Sequence, residues 1–407
     1  MTDASEHRYP CAQCGAQLRF APGQTELTCD HCGHVQQIAA AGDRKRARAL
    51  AEHDLQAGLR DDLPEAATED IRTTTCTSCG AQIEMQGATH AAECPFCASP
   101  VVLDTGAHRL IKPQALVPFQ LTEGQARDAM VKWMGSLWFA PSTLLEYARK
   151  GRAMNGIYVP FWTFDADSAS AYTGQRGEYY YETRTVTVTV NGRQEQRQEQ
   201  VRKTRWFPAS GNVARRFDDM MVMASNSLPQ RLGNELTPWD LAALEPYSPD
   251  YLAGFQAEGY TVALADGHAT ARTRMAAIIE DDVRRDIGGD EQRVTSVDTR
   301  WWDETFKHVL LPVWMAAYKY NGKSYRFLVN GQTGEVQGER PWSIWKIGFA
   351  VLLVAAIVLG AIYLNDPETL GLPRPAWMDC RLPPPRPSGW AGGRRSRGRR
   401  RIARPGC

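Results

Sequence analysis

The amino-acid sequence predicts an α+β protein that has two small cysteine-rich modules at its N-terminus, a central domain with antiparallel hairpins, and one C-terminal transmembrane helix. Three observations predict this class. Eight of the ten cysteines form two copies of one spaced pattern. Helix signals and hairpin signals then alternate along the middle of the chain. An uncharged, mostly apolar run follows at residues 347–364.

The cysteine pattern is Cys-x-x-Cys, fourteen residues, Cys-x-x-Cys, and it occurs twice. Two close pairs of thiolates on facing turns make a closed tetrahedral site for zinc. Four protein ligands leave no open position for a substrate, so each zinc ion would be structural. Neither module has enough apolar residues for a core, so we expect metal binding to supply the folding free energy. The predicted metal ligands are Cys11, Cys14, Cys29 and Cys32 in the first zinc ribbon, and Cys76, Cys79, Cys94 and Cys97 in the second.

Two other interpretations of the cysteines are weaker. A thioredoxin-like redox pair needs one Cys-x-x-Cys that opens a helix in a βαβ unit, whereas here four such pairs match two by two. Structural disulfides need an oxidising compartment, and residues 1–10 are polar, unlike a signal peptide. His31 and His34 lie beside the first site. Because four cysteines already complete that site, we expect both histidines to be bystanders.

Length and charge suggest several segments. A chain of 407 residues exceeds one average domain, and 43% hydrophobic with 23% charged residues is typical of a folded protein. Residues 1–112 hold 10 basic and 15 acidic side chains, and the ribbons are expected to be spaced modules on an acidic linker. In chain order we predict zinc ribbon 1 at 1–40, a helix and acidic linker at 41–75, zinc ribbon 2 at 76–111, an α+β domain at 112–341, a transmembrane segment at 342–365, and a Pro/Arg-rich tail at 366–407.

The first half of the central domain combines a helix with a long hairpin. Thr122 and Gln125 fit a capping box ahead of a helix that reaches about residue 139. A β-rich run follows at 156–164, and a second strand at 179–190. Asn191-Gly192 predicts a type I′ turn and a return strand. Polar residues on both faces of this hairpin predict that it projects into solvent.

The second half has similar parts. Residues 271–286 predict a helix, and residues 309–318 echo the earlier segment 157–164. Two Asn-Gly turns then predict an antiparallel meander that ends near residue 336. We therefore interpret the domain as two related halves.

Residues 347–364 are the predicted membrane segment. At about 1.5 Å per residue, eighteen residues are just long enough for the hydrocarbon core of a bilayer. Trp342, Trp345 and Tyr363 flank the run as interfacial aromatic residues do. A buried helix of a soluble domain is the alternative, but such helices usually keep some polar positions. One such run predicts a single-pass protein of the cell inner membrane. Zinc thiolates persist in a reducing compartment, so we expect the bulk of the chain to lie in the cytoplasm.

The tail differs in composition from the rest of the chain. Residues 381–407 contain nine Arg, no Lys and no acidic residue. Positive charge prefers the cytoplasmic side, which opposes the predicted orientation. One hypothesis is a GC-rich coding region read in the wrong frame, whose intact form would continue into a second membrane helix. The alternative is a disordered basic tail that binds anionic lipid or nucleic acid.

Catalytic motifs are missing from the sequence. It has no phosphate-binding Gly-x-x-x-x-Gly-Lys-Ser/Thr, no Gly-x-Ser-x-Gly and no His-Glu-x-x-His. Residues 288–291 match four residues of the Gly-Gly-Asp-Glu-Phe hairpin of diguanylate cyclases, but the two glycines here are expected to cap a helix. Carboxylates beside apolar residues at 217–219 and 238–240 are only a weak signal of a site. We therefore predict that the protein is not an enzyme. The alternative is an enzyme in residues 113–340, which would need a deep polar pocket in that domain.

Nucleic-acid binding is the second functional class, because zinc ribbons are common in transcription and replication proteins. Binding a phosphate backbone needs a basic face, whereas the ribbon segment is net acidic. The ribbons also offer few aromatic residues, Phe20 and Phe96, for base stacking. The composition therefore disfavours a nucleic-acid partner.

Together these features resemble a family of bacterial membrane proteins with paired zinc ribbons of the transcription factor IIB type. Members of that family are sometimes labelled primosomal protein N′ or superfamily II helicase-like. The helicase label is not supported, because this chain has no Walker A motif and no helicase core. The resemblance implies that the eight cysteines are the functional residues. It covers residues 9–365 and includes, besides the cysteine repeats, residues 159–165, 228–229, 238–241, 286–293, 306–314 and 329–341.

The function that we expect from the sequence is that of a membrane-anchored cytoplasmic adaptor or scaffold with two structural Zn²⁺ ions. Its partners would be the lipid bilayer and a membrane-associated protein, with a flotillin-like or stress scaffold as the class that the resemblance implies. The alternative is a membrane-tethered nucleic-acid-binding protein linked to replication or transcription.

Overall fold

A computed structural model describes most of the chain and confirms a mixed α/β protein with antiparallel sheets and an N-terminal cysteine cluster. Two compact units are present, Met1–Trp138 with Ser142–Arg340, and Phe139–Pro141 with Pro341–Cys407. The described residues are 9–40, 42–60, 62–64, 67–76, 80–84, 91–93, 100–102, 107–138, 154–190, 193–320, 323–339 and 344–365.

The N-terminal part of the first unit consists of small sheets and short helices. Strands β1 (Leu18–Phe20), β2 (Glu26–Cys29) and β3 (Val35–Gln37) form a three-stranded antiparallel sheet. The helix predicted within residues 41–75 is divided into two, because Asp54 caps a new helix by accepting a hydrogen bond from the Ala57 N–H at 2.7 Å. The elements that follow are α1 (Asp43–Ala49), β4 (His53–Asp54), α2 (Leu55–Leu59), β5 (Thr68–Thr75), β6 (Gln82–Glu84), β7 (Ala91–Glu93), β8 (Pro100–Val102) and β9 (Ala107–Ile111).

The predicted capping box is confirmed at the next helix. The Thr122 N–H donates to Gln125 Oε1 at 2.8 Å, and the Gln125 N–H donates to Thr122 Oγ1 at 3.4 Å. After β10 (Ala115–Leu116), this box opens α3 (Glu123–Ser136).

Three long strands dominate the first unit. The predicted strands 156–164 and 179–190 are parts of one strand, β11 (Asn155–Val190), which pairs along its length with β12 (Arg193–Met223). Strand β15 (Glu291–Tyr320) lies antiparallel on the other side of β11. The predicted meander is confirmed, because β15 pairs with β16 (Lys323–Asn330) and β16 pairs with β17 (Val336–Gly338).

The two segments whose sequences echo each other are neighbours in this sheet. Pro160 pairs with Leu310, and Ile157 pairs with Val313, in the antiparallel register of β11 and β15. Both segments are buried on both faces. The shared buried environment therefore accounts for their similar apolar composition.

Helix α5 (Leu264–Ile287) covers one face of the sheet. It buries one side chain every four residues, which places them in a single stripe. Gly288 ends the helix with φ 64°, and its N–H donates to the Arg284 carbonyl at 3.1 Å, which confirms the predicted glycine cap. The stripe is formed by Ala271, Met275, Ile279, Val283 and Ile287. The short elements between β12 and α5 are α4 (Gln230–Glu235), β13 (Glu245–Pro246), β14 (Gln256–Ala257) and 3-10 turns at Leu241–Ala243 and Pro249–Leu252.

The second unit contains α6 (Ile344–Asn365). Its large apolar side chains are exposed, with Phe349 and Leu352 each 70% accessible. Over the described residues, however, no helix combines the length and the apolar character that a membrane crossing requires. The predicted transmembrane helix is therefore not confirmed.

A buried carboxyl group lies in the first unit. Glu258 is 3% exposed, and it accepts hydrogen bonds from Ser225 Oγ at 2.8 Å and Ser227 Oγ at 3.0 Å. Burial raises the pKa of Glu258 to about 8. This side chain is therefore protonated in the folded protein at neutral pH, while it is ionised in the unfolded chain.

Replacing Glu258 by Gln is expected to flatten the pH dependence of stability. Because the folded pKa is raised, Glu258 lowers the free energy of unfolding as pH rises from about 4.5 to about 8. Gln keeps the hydrogen-bonding capacity and cannot ionise. The variant should match the native protein at pH 4.5 and exceed it by about 1–3 kcal/mol at pH 8.5, measured by denaturant unfolding at both pH values. Equal stability of the two proteins at pH 8.5 would show that the carboxyl group ionises without cost.

Candidate metal centre

The four cysteines of the first ribbon converge on one point. The Sγ atoms of Cys11 and Cys32 are 3.5 Å apart, and those of Cys14 and Cys29 are 3.6 Å apart. All four sulfur atoms lie within 4.8 Å of one another. A tetrahedral zinc ion with Zn–S bonds of about 2.3 Å separates its sulfur ligands by about 3.8 Å. The cluster therefore has the dimensions and the donor set of a four-thiolate zinc site.

Two turns of the same geometry position these sulfur atoms. In each, the first cysteine of Cys-x-x-Cys accepts a backbone hydrogen bond from the glycine four residues later, at 2.8 Å for Cys11 and 2.9 Å for Cys29. Those glycines, Gly15 and Gly33, have φ values of 75° and 72°. A positive φ of this kind is readily adopted by glycine and disfavoured for other residues. The glycine after each cysteine pair is therefore part of the ligand-presenting turn, which we call the cysteine turn.

Backbone amides favour the thiolate form of one ligand. The N–H groups of Cys32 and His31 point at Cys29 and lower the pKa of its thiol to about 6. The thiolate is the form that binds a metal ion. Neither His31 nor His34 belongs to the cluster of potential ligand atoms, which consists of the four cysteines.

A third cysteine turn begins at Cys76. The Cys76 N–H donates to the Ala81 carbonyl at 2.8 Å, and the Gly80 N–H donates to the Cys76 carbonyl at 2.8 Å. Gly80 has φ 77°, and Cys76 is 1% exposed. This geometry matches both turns of the first ribbon. The other predicted ligands of the second ribbon, Cys79, Cys94 and Cys97, lie outside the described residues, and a second zinc site is not evident in the described part of the chain.

The first ribbon packs directly on the central sheet domain. Phe20 is 3% exposed, and its ring lies 5.3 Å from that of Tyr251 and 6.3 Å from that of Phe255. The Phe20 N–H donates to the Ala253 carbonyl at 2.9 Å, and the Gly23 N–H donates to the Phe119 carbonyl at 2.8 Å. The first ribbon and the central sheet domain therefore belong to one compact unit.

A second group of potential metal ligands is acidic. Carboxylate oxygens of Glu52, Asp165 and Asp219 lie within 4.8 Å of one another. The Lys307 Nζ lies 2.9 Å from Glu52 Oε1 and 2.9 Å from Asp219 Oδ1, and burial raises the pKa of Asp165 to about 7. The ammonium group already supplies positive charge here, so the geometry is that of a half-buried ion-pair cluster. Sequence reasoning singled out residues 217–219 but had no signal for their partners, which are distant in the chain.

The other carboxylate that the sequence singled out has a structural role. Asp240 Oδ1 accepts a hydrogen bond from the Ala242 N–H at 3.1 Å and caps the 3-10 turn at Leu241–Ala243. It lies among the exposed residues and is outside both clusters.

The chain is similar to a protein that is itself uncharacterised. The chain is 26% identical over 345 residues to the uncharacterised protein YdjG of Bacillus subtilis (strain 168), a match that covers 83% of this chain and 91% of that protein. No family model matches the chain, and no solved structure matches it. The likeness extends well beyond the ribbons, and the transcription factor IIB-type family that the sequence resembles is not confirmed by it.

Replacing Cys11 and Cys14 by Ser is expected to remove one equivalent of bound zinc per chain. Two of four thiolates would be lost, and the free energy of a structural zinc site, about 10–16 kcal/mol in isolated fingers, would no longer stabilise the ribbon. Metal analysis by mass spectrometry, after dialysis against a weak chelator, measures the loss.

The matched control is Cys380→Ser/Cys407→Ser, which removes two cysteines outside the repeated pattern. Its zinc content should equal that of the native chain. Full zinc content in the Cys11→Ser/Cys14→Ser variant would contradict the assignment of these ligands.

Proposed function

We propose that this chain is a non-enzymatic adaptor, in which zinc-stabilised ribbons present a binding surface for a protein partner. The observation that carries the proposal is the closed cluster of four thiolates at Cys11, Cys14, Cys29 and Cys32. Zinc held by four protein ligands has no free coordination position, so its contribution is to hold a fold.

The way in which the first ribbon packs on the central domain supports a role in recognition. One side of its sheet is fixed to the central domain through Phe20, whereas all three residues of β3, Val35–Gln37, are exposed. Strand β3 is the terminal strand of that sheet. An exposed edge strand offers backbone N–H and carbonyl groups to which an extended segment of a partner can add. Because the ribbon is packed against the central domain, β3 would lose little conformational freedom when a partner binds.

The second zinc ion forms part of the same proposal. The Cys76 turn reproduces the hydrogen bonds and the glycine φ value of the two turns in the first ribbon. Cys79, Cys94 and Cys97 would complete its ligand set, because their spacing repeats that of the first site. The full protein would then carry two structural Zn²⁺ ions and two recognition modules.

Attachment to the inner membrane through α6, with the ribbons in the cytoplasm, completes the proposal. The support for it is the row of exposed apolar side chains on α6, including Phe349, Leu352 and Ile357 at 70%, 70% and 62% accessibility. Exposed apolar surface of this extent is normally covered by lipid or by another protein. A membrane-associated protein is accordingly the class of partner that we propose.

Affinity purification after crosslinking, from detergent-solubilised membranes, tests the adaptor function. The native chain should recover a protein partner, and Cys76→Ser/Cys79→Ser should recover several-fold less of it, because the second ribbon loses the metal that holds it folded. Cys380→Ser/Cys407→Ser serves as the control and should behave like the native chain. Recovery of nucleic acid with replication or transcription proteins would instead support a membrane-tethered nucleic-acid binder.

Vesicle flotation tests the membrane attachment separately. The full chain should float with phosphatidylglycerol–phosphatidylethanolamine vesicles, and Leu352→Asp should weaken this association by about 3 kcal/mol, roughly a hundredfold. Trp138→Asp is the control, because it also places a charge at an exposed apolar side chain, 80% accessible, outside α6. Equal flotation of the two variants would argue against α6 as the attachment element.

A further inference from the structure

Strands β11 and β12 carry a long uncharged face that no described element covers. From Ala169 to Thr187, every second residue of β11 points to this face, and none of them is charged. Their partners on β12, from Ala214 to Gln196, are uncharged with the one exception of Arg202. Most of these side chains are exposed. We call this surface the uncharged face.

The opposite side of the same two strands is different. Near its base it is covered by α5, where the Tyr172 hydroxyl donates to Asp286 Oδ2 at 2.5 Å. Further out it carries charged pairs, including Lys203 with Glu182. Apart from Arg202, the charged side chains of the two strands between residues 169–187 and 196–214 thus lie on the opposite side of the ribbon.

The outer part of this ribbon has only two strands. Strand β15 stops pairing with β11 at Gly177, which is opposite Glu291, whereas the pairing of β11 with β12 continues to Val190 and Arg193. A two-stranded ribbon alone is marginally stable in water. Additional contacts are therefore expected to support it.

The free edge of β12 is poorly suited to supply those contacts. Pro208 lies within this edge strand and has no backbone N–H. Charged side chains along the strand also oppose edge-to-edge pairing. The uncharged face is consequently the better surface for association.

The centre of the uncharged face has the composition of an interface centre. Trp206 lies over Gly177, where an added Cβ would be 3.0 Å from the indole ring. The Arg293 guanidinium stacks 3.8 Å from the centre of the Trp206 ring, and that of Arg202 lies 4.2 Å from the centre of the Tyr179 ring. Trp, Tyr and Arg are the residue types that contribute most to binding energy at interfaces.

The two halves of the face complement each other in size. On the base side of Gly177, small residues such as Ala169, paired with Ala214, form a flat surface. On the outer side, long side chains stand opposite threonines, as Gln198 does opposite Thr185. Ala169 and Thr185 are equally far from Gly177 along the strand. An antiparallel arrangement of two such faces therefore places long side chains over small ones, the pattern that packs well.

From this geometry we propose that the uncharged face binds the same face of a second copy of the chain, with a two-fold axis near Gly177 and Trp206. The hydroxyl and amide groups of the face are both donors and acceptors, so identical surfaces can satisfy one another. The face between residues 169 and 187 is about 60 Å long at about 3.3 Å per residue, and about 10 Å wide. Two copies would bury about 1,200 Å², the lower bound for a specific interface.

A second copy fits this face better than an anionic partner. Nucleic acid or anionic lipid requires a basic surface. The cations on this side of the sheet, Arg202 of β12 with Arg293 and Arg300 of β15, are accompanied by the carboxylates of Glu291 and Asp298. Strand β15 adds charged residues to this side of the sheet, where Glu291, Arg293, Asp298 and Arg300 pair with Gly177, Gln175, Ala171 and Ala169. They form a polar border along the face, as is usual at the rim of an interface.

Sedimentation velocity of the full chain in mild detergent, between about 1 and 100 µM, tests the proposal. The native protein should sediment as a dimer of the 45.4 kDa chain. Thr183→Glu/Thr185→Glu places two charges on the uncharged face and should raise the dimer Kd by roughly tenfold or more. Val186→Glu/Val188→Glu adds the same charge to the opposite side of the same strand and should leave the Kd unchanged.

A charge-swap experiment tests the register. Thr185→Glu and Ala169→Lys should each weaken self-association, and a mixture of the two variants should recover dimers, because the proposed arrangement places residue 185 of one copy against residue 169 of the other. A monomeric native chain at 100 µM, equal weakening by both double variants, or failure of the mixture to recover dimers would each overturn the proposal. Equal weakening would point to a general effect on the ribbon or to association through α6.

Discussion

The antiparallel ladder between β11 and β15 is the constraint on which the rest of the first unit depends. It runs from Asn155 opposite Met315 to Gly177 opposite Glu291, so it joins residues that lie between 114 and 160 positions apart in the chain. Each face of its inner half supports one hydrophobic cluster, with Val159, Val309 and Leu311 on one side and Trp162, Phe164 and Phe306 on the other. Helix α4 contributes Leu232 to the first cluster, and helix α5 contributes its apolar stripe to the second, so the ladder decides where these two helices lie.

The cysteine turns of the described residues are connected to the packed interior of the first unit. The first ribbon holds its four thiolates in one cluster, and its Phe20 ring contacts the rings of Tyr251 and Phe255 in the central domain. Cys76 belongs to the same hydrophobic cluster as Val159 and Leu311. The Cys76 turn is therefore joined to the apolar interior of the domain, whereas the first ribbon contacts the domain through Phe20.

Local signals in the sequence were sufficient for much of this architecture. The capping box of Thr122 and Gln125, the glycine cap at Gly288 and the convergence of the first four cysteines each depend on residues close together in the chain, and all are confirmed. The lengths of the strands were not predictable in the same way. Glycine and proline residues inside β11 and β12 interrupt the alternation of side chains that predicts a strand. The pairing of β11 with β12 nevertheless continues through these positions. The cluster of Glu52, Asp165, Asp219 and Lys307 exists only because the sheet brings four distant positions together.

The position of Phe20 has a consequence for how the chain folds during synthesis. Its binding site is made by residues 251–255, which leave the ribosome long after the ribbon itself. At about 5–20 residues per second, the ribbon waits some tens of seconds with an aromatic side chain uncovered. A zinc ion bound to the four thiolates during that interval would hold the ribbon folded until its docking site has formed.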